Sequence, residues 1–193
     1  MIGVVLCGGQ STRMGSDKGL MKYKSFSFAE LAISKLAEFI EQVVLSVNAA
    51  QYISYFKKFQ ELTIVEDDMT LDVYGPLKGI LSVHLKYPTE DLLVLACDML
   101  AMHTDVLNYL INTNFIKKED AFVFQTNENI EPLCAIYTAK GLTKIYQLYN
   151  QGLLKKNSMQ YVLESILTCY LPVNQEWKNY FNNYNSRNDL SSL

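Results

Sequence analysis

Arginine is nearly absent from this chain. Of its 17 basic residues only Arg13 and Arg187 are arginine, so lysine serves wherever a solvated positive charge is enough. Arg13 therefore reads as a choice, a planar fork suited to phosphate oxygens. Histidine is equally scarce. His84 and His103 alone do not indicate a histidine-based zinc site. The four cysteines, Cys7, Cys97, Cys134 and Cys169, contain no C-x-x-C pair and mostly sit in or beside apolar runs, which predicts reduced, buried thiols. No charged leader with an apolar core opens the chain, and no apolar stretch approaches the roughly twenty residues that span a bilayer. The expectation is a cytoplasmic protein away from membranes. A net charge of −3 leaves no broad basic face, which argues against nucleic acid and for a small ligand. Internal repeats, linkers and low-complexity tracts are also lacking.

What is present begins at once. The apolar run Ile2-Gly3-Val4-Val5-Leu6-Cys7 reads as a short buried strand, and it breaks into Gly8-Gly9-Gln10-Ser11-Thr12-Arg13-Met14-Gly15-Ser16-Asp17-Lys18. Adjacent glycines allow successive backbone N–H groups to face one oxyanion, and Arg13 and Lys18 add positive charge, so the stretch suits a di- or triphosphate. Two familiar phosphate loops are excluded by spacing. Neither G-x-x-x-x-G-K-[ST] nor G-x-G-x-x-G occurs there.

At 193 residues and 49% hydrophobic content, one domain can bury a full core and two would be cramped. The pattern predicts a helix over 27–40, with Ser27 as N-cap and Glu30 completing a capping box. A strand over 43–47, a short helix near 52–58 and a strand over 62–65 follow. Tyr74-Gly75-Pro76 opens a helix to about 86, with Pro76 suited to its first turn and Gly79 leaving a bare patch where a flat ring could approach. The strand 92–97 ends in Asp98, and Thr104 is placed to cap a helix over 105–112. Strands over 121–124 and 133–137, helices over 140–149 and 158–167, and an edge strand near 171–173 complete the reading. Lys155 and Lys156 read as a solvated basic pair.

Near-continuous apolar strands alternating with amphipathic helices predict a Rossmann-like three-layer α/β/α sandwich with a mostly parallel central sheet. Ligands of such sheets collect at the carboxyl ends of the strands, which singles out Gly8, Asn48, Asp67 and Asp98. A carboxylate at that mouth, opposite a phosphate loop, is where Mg²⁺ would be held through Asp98 together with substrate oxygens.

The stretch L-C-G-G-x-S-x-R-M-G-x-D-K resembles the nucleotide-binding signature of the molybdenum cofactor guanylyltransferases, the MobA family, with Cys7 in place of a usual alanine. Gly75-Pro76-Leu77-x-Gly79 resembles the family's G-P-L-x-G element, and Cys97-Asp98 its C-D-x-P element, with Leu100 where proline is usual. Ser46-Val47-Asn48 keeps one asparagine of its N-A-N element. The tail from Phe181 to Leu190 resembles its F-x-N-x-N-T-P-E-D-L ending, with Asn183 and Asn185 at the matching positions.

The resemblance implies a fold of the nucleotide-diphospho-sugar transferase type in a single domain over 1–193, with a nucleotide-binding half at 1–100 and an acceptor-binding half at 101–193. It implies transfer of GMP from GTP to the molybdenum–molybdopterin cofactor with release of pyrophosphate, using Mg²⁺ held by Asp98. Arg13, Lys18 and Asp98 would be catalytic. GTP would be bound by Leu6, Cys7, Gly8, Gly9, Lys18, Asn48, Asp67, Gly75, Gly79 and Asp98, and the pterin acceptor by Asn183 and Asn185. Other cofactor-biosynthesis or molybdoenzyme-maturation proteins are the implied partners. The alternatives are a cytidylyltransferase of the same cofactor, a sugar-phosphate nucleotidyltransferase, and a nucleotide-binding module without catalysis.

Overall fold

The computed structural model describes residues 1–8, 17–116, 118–126 and 129–184. The first strand, β1 (Ile2–Leu6), is buried along its whole length. A small antiparallel hairpin of β2 (Lys22–Tyr23) and β3 (Phe26–Ser27) leads into α1 (Phe28–Ala37), where Ser27 and Glu30 form the expected reciprocal capping box. Then come β4 (Val43–Val47), α2 (Ala49–Lys58), β5 (Thr63–Glu66), α3 (Pro76–Lys86) and β6 (Leu92–Ala96). The second half supplies α4 (Thr104–Ile116), β7 (Ala121–Gln125), β8 (Ile130–Tyr137), α5 (Ala139–Asn150), α6 (Met159–Glu164) and β9 (Thr168–Pro172).

The seven long strands form one sheet in the order β5-β4-β1-β6-β8-β7-β9. All neighbours are parallel except those of β8, which runs against both β6 and β7. Alternate residues feed two apolar layers. Val5, Leu45, Leu93 and Leu95 pack with α1, α2 and α4, whereas Val4, Val44 and Val94 pack with α3, α5 and α6. Both faces of the sheet are therefore covered, which is why its strands read as unbroken apolar runs. The three-layer sandwich expected from the pattern is the fold that forms. Among the described residues no helix is long and apolar enough to cross a membrane.

Several boundaries differ from the sequence reading for local reasons. Helix α2 starts three residues early, because Asn48 accepts from the Gln51 N–H while the Gln51 side chain returns to the Asn48 N–H, a second capping box. Thr104 does not cap α4. It lies inside the helix, and the Asp105 N–H is taken by His103 Nδ1 at 3.3 Å. Helix α6 stops at Glu164, and Glu131-Pro132 lie within β8, next to a register shift between Val123 and Phe124 on β7. A proline is tolerated there because the ladder is already interrupted.

One buried carboxylate ties the second half together. Asp120, with no solvent exposure, accepts from Lys144 Nζ at 2.6 Å and from the Leu167 N–H at 3.1 Å. Burial alone would raise its pKa, but these donors, with Lys140 adding to them, hold it below the usual carboxylate range. Both lysines reach water, so Asp120→Ala leaves mainly the Leu167 N–H without a partner, an expected loss of about 1–3 kcal/mol. Because the folded pKa is the lower one, this contribution is present at neutral pH and disappears as pH falls below the unfolded value of about 4. Denaturant unfolding of both proteins at pH 7 and at about pH 3 checks this. An equal difference at the two pH values would contradict it.

Candidate active site at the carboxyl ends of the parallel strands

Pairing of β1 with β4 on one side and β6 on the other brings their carboxyl ends together. Beyond the last paired residues the backbone contacts continue. Cys97 N–H donates to Leu6 C=O at 3.1 Å, Cys7 and Gly8 N–H groups both reach Ser46 C=O, and Asp67 N–H reaches Val47 C=O at 2.9 Å. Gly8, Asn48, Asp67 and Asp98 thus end four adjacent strands. Arg13 and Gly9, expected in the phosphate loop, and Asn185, expected in the acceptor site, lie outside the described residues.

The described end of the loop carries the central contact. Lys18 Nζ lies 3.2 Å from Asp98 Oδ2, with the two side chains 25% and 17% exposed. A cation reached from the end of the glycine-rich loop and a carboxylate from the end of β6 therefore face each other, partly withdrawn from water. Asp17, just before Lys18, caps the short 3-10 turn Lys18–Leu20 by accepting from Gly19 N–H. It also accepts from Tyr55 Oη and Gln51 Nε2, both on α2 and both at 2.8 Å. Burial, with Cys7, Cys97 and Asp17 nearby, pushes the Tyr55 phenol up, so it stays protonated and donates. The Cys97 thiol is also raised well above its ordinary value, by its hydrogen bond with Cys7 and by burial. All four cysteines are buried, Cys7 and Cys97 side by side at the ends of β1 and β6.

The Asp98 turn is held from below. Lys35, on α1, donates to Leu100 C=O at 2.5 Å and to Met99 C=O at 3.4 Å, a restraint where the sequence lacks the proline usual in the family. Burial lowers the Lys35 pKa to about 8. From the far end of the described chain, Tyr184 N–H donates to Asp98 C=O at 3.0 Å. Asn183 is exposed and next to this contact, so the described end of the chain returns to the backbone of Asp98. β8 runs antiparallel to β6, so its first residues, including half-buried Glu131, lie at this same end of the sheet; burial raises the Glu131 pKa.

On the other side of β1 the site is shaped by α3. Gly75 has φ +65° and ψ −152°, a region essentially reserved for glycine, and Pro76 follows at the first helical position. The bare patch expected at Gly79 does not face a ring. Gly79 is buried, and a Cβ there would come within 2.5 Å of Ser46 Oγ and 3.3 Å of Leu6 Cδ2, so its absence lets α3 approach the sheet. Asp67 Oδ1 would be 3.6 Å away. Burial raises the Asp67 pKa to about 6, against the pull of Lys78, with Glu66 adding to the rise. The Asn48 side-chain oxygen is committed to the cap of α2. Leu6 and Cys7 lie at the end of β1 with both side chains buried.

Among the described residues no group of three or more His, Cys, Asp or Glu side chains could hold a metal ion. Asp98, with substrate and water oxygens, is a donor set that fits Mg²⁺, which keeps much of its own water, and does not fit a metal needing an all-protein cage. Cavity size does not identify the site. A broad cleft of about 890 Å³, lined by Met1, Ile40, Asp91 and Thr138, lies at the opposite end of the sheet.

Gln51, Tyr55, Asp17 and Lys35 were not assigned roles by the sequence reading. The spacing of Asn48 and Gln51 carried a signal, a capping-box pattern ahead of an apolar run. Asp17 is the aspartate of the G-x-D-K stretch, whereas Tyr55 and Lys35 had no signal, since which hydroxyl or amine meets which turn depends on the packing.

The family and the fold are shared with known proteins. A family model described as MobA-like NTP transferase domain matches residues 3–166. A probable molybdenum cofactor guanylyltransferase of Geobacillus sp. (strain WCH70) is 29% identical, with 100% of this chain and 97% of that protein covered. Another, from Clostridium perfringens (strain ATCC 13124), is 30% identical, with 92% and 88% covered. Molybdopterin-guanine dinucleotide biosynthesis protein A from Archaeoglobus fulgidus has the same fold, with a TM-score of 0.80 at 23% identity over 100% of this chain and 96% of that one.

Asp67 yields a direct test. Its folded pKa lies above the unfolded value, so the folded state binds the proton more tightly, and stability falls as pH rises from about 4 to 6. Asp67→Asn removes this charge. The variant is expected to match the wild type near pH 4 and to gain on it progressively up to about pH 6, with a constant advantage above. Urea midpoints across that range measure it, and a pH-independent difference would refute the assignment.

Proposed function

The chain belongs to the MobA-like NTP transferase family, and we propose that it transfers GMP from GTP to the terminal phosphate of the molybdenum–molybdopterin cofactor, releasing pyrophosphate. The observation that carries this reading is the Lys18–Asp98 pair, 3.2 Å apart at the mouth of a parallel sheet and directly after a glycine-rich loop. Relatives named as guanylyltransferases over nearly the full length supply the base and the acceptor.

The chemistry asks little covalent work of the protein. An oxygen of the acceptor phosphate attacks the α-phosphorus of GTP, the bond to the bridging oxygen of pyrophosphate breaks in line, and the electron pair leaves with pyrophosphate. A phosphate monoester has its second pKa near 6, so the nucleophile is already deprotonated at neutral pH and no general base is required. What remains is positioning and charge balance. Lys18, with Arg13, neutralises charge growing on the leaving group. Asp98 would hold Mg²⁺, which supplies Lewis-acid polarisation of the phosphates when bound. Backbone from Leu6 through Gly9 cradles the nucleotide, while Asn48, Asp67, Gly75 and Gly79 form its flank, Gly79 through the close approach of α3. Asn183 and Asn185 read the pterin edge, so residues 1–100 serve the nucleotide and 101–193 the acceptor.

Pyrophosphate release from GTP and from CTP, each with the molybdenum–molybdopterin acceptor or with a sugar phosphate, tests the reading. GTP with the pterin acceptor is the expected productive combination, and exclusive use of CTP or of a sugar phosphate would overturn it. Asp98→Asn keeps an acceptor for Lys18 but loses the charge, so activity is expected to fall by ~10²-fold or more with the unfolding midpoint little changed. Lys18→Ala is expected to lower kcat by a comparable factor, on the order of 10². If Lys18→Ala changes only KM, the lysine binds ground state and transition state alike.

A further inference from the structure

Gln51 has every polar group of its side chain in use, and the pattern fits only one amide orientation. Its Oε1 accepts from the Asn48 N–H at 3.1 Å, while Nε2 donates to Cys7 C=O at 3.0 Å and to Asp17 Oδ2 at 2.8 Å. A flipped amide would place oxygen against two acceptors and nitrogen against a donor. The two acceptors have a particular relation in the chain. Cys7 is the last residue before the glycine-rich loop, and Asp17 is the residue that precedes Lys18 at the loop's other end. One primary amide therefore bridges the entry and the exit of the loop.

A second contact fixes Asp17 in rotation. Tyr55 Oη donates to Asp17 Oδ1 at 2.8 Å, and Gly19 N–H donates to the same oxygen at 3.0 Å. Tyr55 itself has no solvent exposure and stacks at a tilt on Phe59, so its hydroxyl stands on a rigid base. A Cβ at Gly19 would run into that hydroxyl, so the turn carrying Lys18 lies directly against Tyr55. Lys18 then reaches Asp98 from a backbone whose position is set by α2.

We propose that Gln51 is a positioning residue for nucleotidyl transfer: by tying Cys7 C=O to the Asp17 carboxylate it closes the span of the phosphate loop and sets the register at which Lys18 meets Asp98 and the leaving group. Tyr55 is its auxiliary, acting on the same carboxylate. Neither touches the reacting atoms. The inference rests on the guanylyltransferase reading for its kinetic readout and on the nucleotide-free protein for its structural one.

The test is Gln51→Glu, which keeps an oxygen for the Asn48 N–H, and with it the cap of α2, but turns an oxygen toward Cys7 C=O and Asp17. The expected result is a fall in kcat of on the order of 10- to 100-fold, the scale of an ångström-sized misplacement, with KM for GTP much less affected. Lowering the pH returns a proton to the introduced carboxyl and restores one donor, so kcat of the variant is expected to recover relative to wild type on the acid side. A residue that merely stabilised α2 would show neither the kcat-selective loss nor the acid recovery. Amide hydrogen exchange of the nucleotide-free variant should quicken at Gly19 while the core of α2 remains protected. Tyr55→Phe, which keeps the buried ring, is expected to lower kcat in the same direction by a smaller factor. Wild-type kcat in Gln51→Glu, or loss of kcat with uniform loss of protection through α2, would overturn the proposal. An inactive wild type on GTP would instead count against the reaction, and the exchange pattern at Gly19 would still decide the loop clamp.

Discussion

Parallel pairing of β1 between β4 and β6 is the constraint on which the site depends. Each parallel strand leaves its carboxyl end at the same edge of the sheet, so Gly8, Asn48 and Asp98, far apart in sequence, become neighbours without any direct attraction between them. The hydrogen bonds from Cys97 to Leu6 and from Cys7 and Gly8 to Ser46 carry this alignment one step past the regular ladder. The described residues after the glycine-rich stretch are held through Asp17, and Lys18 faces Asp98.

Charge is used sparingly in this arrangement. The chain is acidic overall, yet the described part of the site sets a lysine against a carboxylate in a partly dry setting where each counts for more than on the surface. The two charges offset each other across 3.2 Å. Beside this pair, Tyr55 and Gln51 both donate to Asp17, and Gln51 also accepts from the Asn48 N–H.

The second half reaches the same edge by a different route. Reversing β8 within an otherwise parallel sheet turns its beginning, rather than its end, toward the site, and brings Glu131 and Pro132 there beside a register shift. The chain beyond β9 then returns so that Tyr184 binds the carbonyl of Asp98. The backbone that carries the carboxylate proposed to hold the metal is thus fixed from three directions: its own strand, Lys35 beneath the following turn, and the Tyr184 N–H.

The layered fold was legible because it is written in local sequence: unbroken apolar runs specify strands buried on both faces, and Ser27 and Glu30 specify a helix start. Tertiary structure decided what local pattern leaves open. Gly79 looked like room for a ligand ring and proved to be room for Ser46, because a glycine records only that something comes close. Asn48 looked like a free strand-end amide, and its oxygen caps α2 instead. That Gln51, Tyr55 and Lys35 act on the loop and on the Asp98 turn could not be read at all. Their partners lie 34 to 65 residues away, and only the packing of α1 and α2 against the sheet determines which donor finds which acceptor.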